Sequence, residues 1–155
     1  MNYGMKKRVL FFFFVSTALF GCGEGCWWKH MKIDYPEDKG RVSFAETIKG
    51  SGLYQAQGRQ AMVVVFSLMA NRYYPQESAV DVEQDGKWSS LAYFGERDKG
   101  EVDRFDVLVV MLDSHAKNVI EEYVVRAKST GEWPGLEKLP KGAEIYDRIS
   151  VVRVR

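Results

Sequence analysis

Two apolar runs rich in β-branched residues constrain the fold of this chain more than any other feature. The first is AMVVVFSLMA (Ala61–Ala70) and the second is FDVLVVML (Phe105–Leu112). Strands buried on both faces have this continuous apolar character, whereas strands with one solvent-facing side alternate. We therefore predict two central strands, although the period alone leaves a buried helix open for Ala61–Ala70.

Alternating residues and turn signals predict further strands around these two. Residues 41–49 alternate, with Val42, Phe44 and Ile48 on the apolar side, and the Gly-Ser-Gly that follows is expected to end this strand. Tyr73-Tyr74-Pro75 is expected to end the first apolar element. The Asp-Gly pair at 85–86 favours a tight hairpin, because a type I′ turn needs positive φ at both central residues. The remaining predicted strands are Leu53–Ala56, Lys87–Phe94 and Ile145–Arg155.

One amphipathic helix is predicted at about residues 114–129. Asp113 or Ser114 can cap its start, and Gly131 can end it in the left-handed conformation. The order of these elements predicts an α+β domain over residues 41–155, a largely antiparallel sheet of about five to seven strands with the helix packed on one face. The apolar face of the helix consists of Ala116, Val119, Ile120, Tyr123, Val124 and Ala127.

The first 21 residues have the layout of a secretory signal peptide. A basic patch at residues 6–8 precedes the apolar runs Val9–Val15 and Ala18–Phe20, and Gly21 closes the segment. A membrane-spanning helix needs roughly 20 apolar residues, so this segment is short for a span and suits export instead. The alternative is an N-terminal helix or strand buried in the domain.

Leu19-Phe20-Gly21-Cys22 resembles the lipobox of bacterial lipoproteins, in which a small residue precedes an invariant cysteine. The resemblance implies that residues 1–21 are removed and that Cys22 carries the lipid, with residues 22–40 as a linker. It also implies a protein of the cell envelope that is held on a membrane through this lipid anchor. Gly23 after the cysteine is similar to lipoproteins of the outer membrane, facing the periplasm, if the host has two membranes.

Cys22, Cys26 and His30 recur every four residues, which raises the question of a metal site or a disulfide. A thioether-linked Cys22 has no thiolate to offer a metal or a second cysteine. Cys26 and His30 alone do not make a structural zinc site, so we expect neither a metal nor a cofactor. Cys26 then remains as an odd thiol, either unpaired or paired with another molecule.

Trp27 and Trp28 follow a few residues after the expected lipid. Tryptophan favours the membrane interface, where its ring is buried and its N–H stays hydrated. The pair are therefore candidate membrane-interface residues. The alternative is that they pack on the folded domain.

No catalytic motif supports an enzyme. Asp113, Ser114 and His115 supply the residue types of a hydrolytic triad, but neighbours at a helix start point about 100° apart and cannot line up. A distant serine with His115 as its base stays open.

Without residues 1–21, which hold three of the 22 basic residues and none of the 21 acidic ones, the formal charge is −2. This balance argues against a nucleic-acid partner.

Aromatic residues near turns and strand ends are the candidate partner-binding residues, because Tyr and Trp are enriched at binding hot spots. The alternative is that they close the ends of the core. We expect a protein-binding module (an inhibitor, an immunity protein or an assembly accessory) whose partner is an envelope or secreted protein. The competing hypothesis is a small-ligand-binding or hydrolytic periplasmic domain with a pocket between sheet and helix. The candidate partner-binding residues are Tyr73, Tyr74, Trp88, Tyr93 and Trp133.

Overall fold

The computed structural model describes residues 30–53, 58–97 and 103–154, which form eight strands and one helix. The one helix within these ranges is α1 (Ser114–Thr130), which lies between the seventh and eighth strands. The strands are β1 (His30–Tyr35), β2 (Gly40–Val42), β3 (Ala45–Leu53), β4 (Gln60–Ser67), β5 (Arg72–Ala79), β6 (Lys87–Tyr93), β7 (Arg104–Leu112) and β8 (Ala143–Arg153).

The strands form a large sheet in the order β2-β8-β7-β4-β5 and a small sheet in the order β1-β3-β6. Every pair is antiparallel except β2 with β8, which is parallel. β4 and β7, which carry the two apolar runs, pair with each other near the centre of the large sheet. The predicted α+β class, antiparallel pairing and central strands are confirmed, but the strands are divided over two sheets instead of one.

Alternate residues of the central strands supply two separate cores. Val63 lies in a cluster with Ile48 of the small sheet. Its neighbour Val64 lies in a second cluster with Ile120 of α1. The large sheet is therefore a middle layer, covered by the small sheet on one face and over part of the other face by α1, which is why the covered parts of its central strands are apolar on both faces.

β1 belongs to the folded domain, although it lies inside residues 22–40, which the sequence analysis assigned to a linker. Met31 and Ile33 are buried in the core between the sheets, and β1 pairs antiparallel with β3. The backbone N–H of Ile33 also donates to a carboxylate oxygen of Asp147 on β8. The assignment of residues 22–40 to a linker is therefore wrong for His30–Tyr35. This strand has two buried apolar residues among six, and so short an alternation does not distinguish a strand from a polar linker.

The predicted strand at residues 41–49 is divided between β2 and β3, which belong to different sheets. β3 then continues through the glycines that were expected to end it. At Gly50 a Cβ atom would overlap the ring of Trp88 and the carbonyl of Lys32. Glycine is required here by the close approach of neighbouring strands and not by a turn.

The helix is confirmed together with its caps. A carboxylate oxygen of Asp113 accepts a hydrogen bond of 2.8 Å from the backbone N–H of Ala116. Gly131 has φ 74° and its N–H donates to the carbonyl of Ala127, so the helix ends in the left-handed conformation. A turn is present before β6, but it spans Glu83–Gly86, with the Gly86 N–H donating to the Glu83 carbonyl. Gly86 has φ 80° whereas Asp85 is not at positive φ, so the predicted type I′ turn is wrong, and a single bridge between Val82 and Trp88 stands in place of a hairpin ladder.

β5 was not predicted, because Tyr73-Tyr74-Pro75 was expected to end the first apolar element. The structure places all three residues inside β5, which is an edge strand of the large sheet. Proline is tolerated on an edge strand, where its missing N–H leaves no central ladder bond unmade. The apolar run itself ends earlier, at Ser67, and Leu68 and Met69 form an exposed turn between β4 and β5.

Candidate functional site

An open groove of about 530 Å³ lies at one end of the two-sheet sandwich. One side of the groove is the edge strand β5, and the other is formed where β6 of the small sheet ends at Tyr93. The residues after α1 complete the groove through Trp133. The groove thus collects residues from both sheets and from the helix end.

Aromatic rings form much of the groove lining. Tyr93 is 42% exposed and its ring packs at 5.6 Å from that of Phe44. Trp133 is 37% exposed and meets Tyr123 edge-on at 6.1 Å. Each exposed ring is supported by a partner ring, so it offers a rigid apolar surface to whatever enters the groove.

Gln76 links the two sides of the groove. Its side chain is buried, its Nε2 donates to the carbonyl of Tyr74 at 2.9 Å, and its Oε1 accepts from the N–H of Tyr93 at 2.9 Å. A side-chain bridge of this kind replaces a strand ladder between β5 and β6, which belong to different sheets. The Gln76 side chain therefore connects β5 and β6 in place of a ladder of backbone hydrogen bonds, and the groove lies between these two strands.

Arg153 holds the chain that borders the groove. Its Nη1 donates to the carbonyls of Phe94 and Glu96, at 2.9 and 2.7 Å, and its Nη2 to the carbonyl of Arg97 at 3.2 Å. The guanidinium also lies over the ring of Phe44, 5.4 Å from its centroid. The buried cation is satisfied by carbonyls and an aromatic face, so we assign it a structural role.

The phenols next to the groove are held in their neutral form. Burial raises the pKa of Tyr74 above its ordinary value, and the negative charge of Glu96 acts in the same direction while Arg72 opposes it. Burial also raises the pKa of Tyr123, whose hydroxyl accepts a hydrogen bond from the N–H of Gly135. Tyr74 therefore lines the groove as a neutral hydroxyl able to donate or accept.

Three of the five candidate partner-binding residues meet at this groove. Tyr74, Tyr93 and Trp133 all line it, although they are far apart in the chain. Tyr73 points elsewhere: its ring packs 4.6 Å from Phe66 in the core beneath α1. That leaves one candidate, Trp88.

Trp88 has to be removed from the binding candidates. It is only 2% exposed and belongs to the core between the two sheets. Along β6, exposed and buried residues alternate, and Trp88 falls on the inward-facing side. The alternative stated for the aromatic residues, closure of the core, is the correct one at this position.

Sequence reasoning missed other residues of the groove, among them Phe44, Met69 and Gln76. Phe44 was assigned to the apolar side of a single strand, and Met69 to the buried run of β4. Met69 is in fact 68% exposed. The position of the chain reversal decides this exposure, and its sequence signal is Asn71, which ends the turn in the left-handed conformation at φ 52°.

Asp113 and His115, two of the residue types of a hydrolytic triad, have separate surroundings in the structure. His115 is exposed at the start of α1, and Asp113 is engaged as the helix cap. A second concavity, of about 340 Å³ and bordered by Arg59, Ser114 and Lys117, does not include His115. Within residues 30–53, 58–97 and 103–154, no group of three or more His, Cys, Asp or Glu residues could hold a metal ion.

Cys22, Cys26, Trp27 and Trp28 lie outside the described residues, so the lipid-attachment and membrane-interface assignments stay predictions. Within the part of the chain that the structure describes, no helix has the length and apolar character of a membrane span. Comparison with known proteins found no matching family model, no similar curated protein and no similar solved structure.

Proposed function

We propose that this chain is an envelope lipoprotein, anchored through lipid on Cys22, whose domain binds a protein partner through the aromatic groove. The observation that carries the proposal is the convergence of Tyr74, Tyr93 and Trp133 at one opening. Aromatic residues of this kind supply most of the binding energy in many protein interfaces. An inhibitor, an immunity protein or an assembly accessory would each act through such a surface.

The apolar surface extends beyond the groove, which favours a protein over a small molecule. Leu68 and Met69, at the turn after β4, are both exposed, and Met69 also borders the groove. Exposed apolar patches of this kind mark protein interaction sites. The partner would place a side chain or a loop in the groove and cover the neighbouring turn.

Strand addition to β5 is not the expected mode of binding. Tyr73 already exchanges both backbone hydrogen bonds with Leu136, so this part of the edge is occupied. Two residues further on, Pro75 has no N–H to offer a partner strand. Side-chain contacts in the groove therefore carry the proposed interaction.

The position of the groove suits a domain tethered by its N-terminus. In the small sheet, His30 pairs with Leu53 at one end, whereas Tyr93 pairs with Ala45 at the other. The length of β3 from Ala45 to Leu53 separates these ends by roughly 26 Å, at about 3.3 Å per residue. A lipid at Cys22, eight residues before His30, would tether the domain from the end of the small sheet that is remote from Tyr93.

A small-ligand-binding domain is the second candidate. The cavity volume of about 530 Å³ falls within the range of roughly 300–1,000 Å³ that small-molecule sites occupy. This candidate predicts tight binding of an apolar compound, and no partner protein would be needed. The same groove variants test both candidates, since both place the ligand against Tyr93 and Trp133.

The direct test compares capture of envelope proteins by the wild-type chain and by two double variants. Tyr93→Ser with Trp133→Ser removes two groove rings, and Leu91→Ser with Val125→Ser removes two exposed apolar side chains outside the groove. The proposal predicts one stoichiometric partner that the first variant loses and the second keeps. The tag belongs in the chain between Cys22 and β1, because the proposed processing removes residues 1–21 and because Arg153, near the other end of the chain, borders the groove. Equal recovery with both variants would contradict the proposal.

The anchor is tested separately by labelling cells with an alkyne-bearing fatty acid. Wild type and Cys26→Ala are expected to carry the label and to sediment with membranes. Cys22→Ala is expected to lose the label and to keep an uncut N-terminus. A labelled Cys22→Ala chain would show that the lipobox assignment is wrong, whatever the groove binds.

A further inference from the structure

One part of the large sheet is not covered by α1 and carries three arginines. Arg104 of β7 pairs with Val152 of β8, and Val152 pairs with Arg41 of β2. Their chain neighbours Val42, Phe105 and Val151 lie in the core between the sheets, so Arg41, Val152 and Arg104 share the opposite face. Arg41 and Arg104 are exposed there. We call Arg41, Arg104 and Arg148 the arginine face.

Arg148 is held in a fixed orientation on this face. Its Nε donates at 2.9 Å to a carboxylate oxygen of Asp106, which also accepts from Nη2. Its guanidinium lies 5.9 Å from the centroid of the Phe66 ring. The Nη1 group, which donates to neither partner, remains for a ligand, and the side chain is half exposed. An arginine fixed in this way loses little conformational entropy on binding.

The arginine face has a surplus of positive charge. Two carboxylates adjoin its three arginines: Asp106 is used by Arg148 and by the Ser150 hydroxyl, which donates at 2.6 Å, and Asp38 accepts a hydrogen bond of 2.9 Å from the Ser150 N–H. Among the described residues, neither Arg41 nor Arg104 lies within ion-pair distance of a carboxylate, in contrast with Lys32, Lys87 and Lys128 elsewhere on the surface. The face therefore attracts a negatively charged ligand.

We propose that the arginine face binds an acidic segment of a protein. The guanidinium groups of Arg41 and Arg104 can each donate two parallel hydrogen bonds to one carboxylate, which lysine cannot do, and Arg148 can add a hydrogen bond from Nη1. Arg41 and Arg104 stand on strands separated by one strand, about 10 Å apart, so two carboxylates of one extended segment can reach both. Apolar Val152 between them suits an acidic segment that also carries apolar side chains.

A nucleic acid fits this face less well than an acidic protein segment does. Binding along a phosphate backbone takes a longer basic stripe, and here the basic residues are three and alternate with Val152 and Asp106. The sequence without its first 21 residues is net acidic, with a formal charge of −2. Preferential binding of a nucleic acid at this face would therefore overturn the proposal.

This site is distinct from the groove but lies at the same end of the molecule. Phe105, which borders the groove, follows Arg104 in β7 and points to the other face of the sheet. The Leu68 N–H donates to the Arg104 carbonyl, so the exposed turn lies between the two surfaces. One partner can contact both, yet the arginine face does not need the groove to bind an acidic segment.

The test uses the full chain in non-ionic detergent and a fluorescent peptide of alternating glutamate and leucine. Arg41→Gln with Arg104→Gln removes two charges from the arginine face. Lys49→Gln with Lys87→Gln removes two charges from the outer face of the small sheet and serves as the matched control. We expect an affinity loss of about tenfold or more for the first variant and less than about twofold for the second.

Three results would overturn the proposal. The first is an equal loss of affinity in both double variants, which would indicate general charge attraction. The second is no peptide binding by the wild-type chain. The third is tighter binding of a single-stranded oligonucleotide than of the peptide at the same salt concentration. None of these depends on Tyr93 or Trp133, so failure here leaves the proposed groove function untouched.

Discussion

Asp106 and Arg148 are joined diagonally across the β7–β8 ladder, and one carboxylate oxygen of Asp106 accepts hydrogen bonds from Nε and Nη2 of Arg148. The other oxygen accepts from the Ser150 hydroxyl at 2.6 Å. Asp106 is only 6% exposed, whereas the Arg148 side chain is half exposed. The carboxylate is therefore the buried partner, and its loss should cost more than the loss of the arginine.

Asp106→Asn is expected to lower the free energy of unfolding by about 1–3 kcal/mol, because a buried charge-assisted acceptor is lost. Urea denaturation at neutral pH measures the change. Asp34→Asn, at an exposed carboxylate 3.9 Å from Lys32, should change stability by less than about 0.5 kcal/mol. Equal effects of the two substitutions would contradict the structural importance of Asp106.

The cap of α1 gives a second prediction. Asp113→Ala removes the acceptor for the Ala116 N–H and should cost about 1 kcal/mol of unfolding free energy. Ser114→Ala is the control, because Ser114 is exposed and its position accepts alanine without loss of a cap. If Ser114→Ala proved the more destabilising change, the assignment of Asp113 as the cap would fail.

A substitution at Ser90 is expected to stabilise the domain. The Ser90 hydroxyl is buried on the inner face of β6 and has no hydrogen-bond partner among the described residues. Ser90→Ala should raise the free energy of unfolding by about 1 kcal/mol, because a buried polar group without a partner is removed. Ser89→Ala, on the exposed face of the same strand, should have almost no effect. A destabilised Ser90→Ala chain would reveal a bound partner for the hydroxyl.

Alkaline pH should destabilise the domain through its buried phenols. The raised pKa of Tyr74 means that the folded state keeps its proton where the unfolded chain, with a pKa near 10.0, begins to lose it. Stability is therefore unaffected by this group below pH 10 and falls as the pH rises above it. The urea midpoint from about pH 9 to about pH 11 should fall less for Tyr74→Phe than for wild type. Identical slopes would contradict the burial of this phenol.

The strands and the helix that sequence patterns predicted are those with a repeating signal. Runs such as Val63–Val65 mark burial on both faces, and the α1 face repeats at helical spacing, so both were predicted correctly. β1 and β5 were missed because the first is too short to establish a period and the second contains Pro75. The division into two sheets was also missed, since it depends on long-range pairing that local alternation does not encode.

The groove itself was not predicted, although three of the five candidate partner-binding residues line it. The aromatic residues were chosen by residue type and position near strand ends, and sequence alone does not tell which side of a strand faces outward. Trp88 and Tyr93 lie on the same strand, five residues apart, so they point to opposite faces, one into the core and one into the groove. The register of β6 against β3 therefore decides which of these two rings is buried and which is exposed.

Site-specific photocross-linking in the native host envelope tests the central claim most directly. A photoreactive phenylalanine derivative replaces Trp133 in one strain and Val125, an exposed helix residue outside the groove, in another. The proposed function predicts one discrete protein adduct from position 133, suppressed by Tyr93→Ser in the same chain, and none from position 125. No adduct at 133, or the same adducts at both positions, would contradict a protein-binding groove.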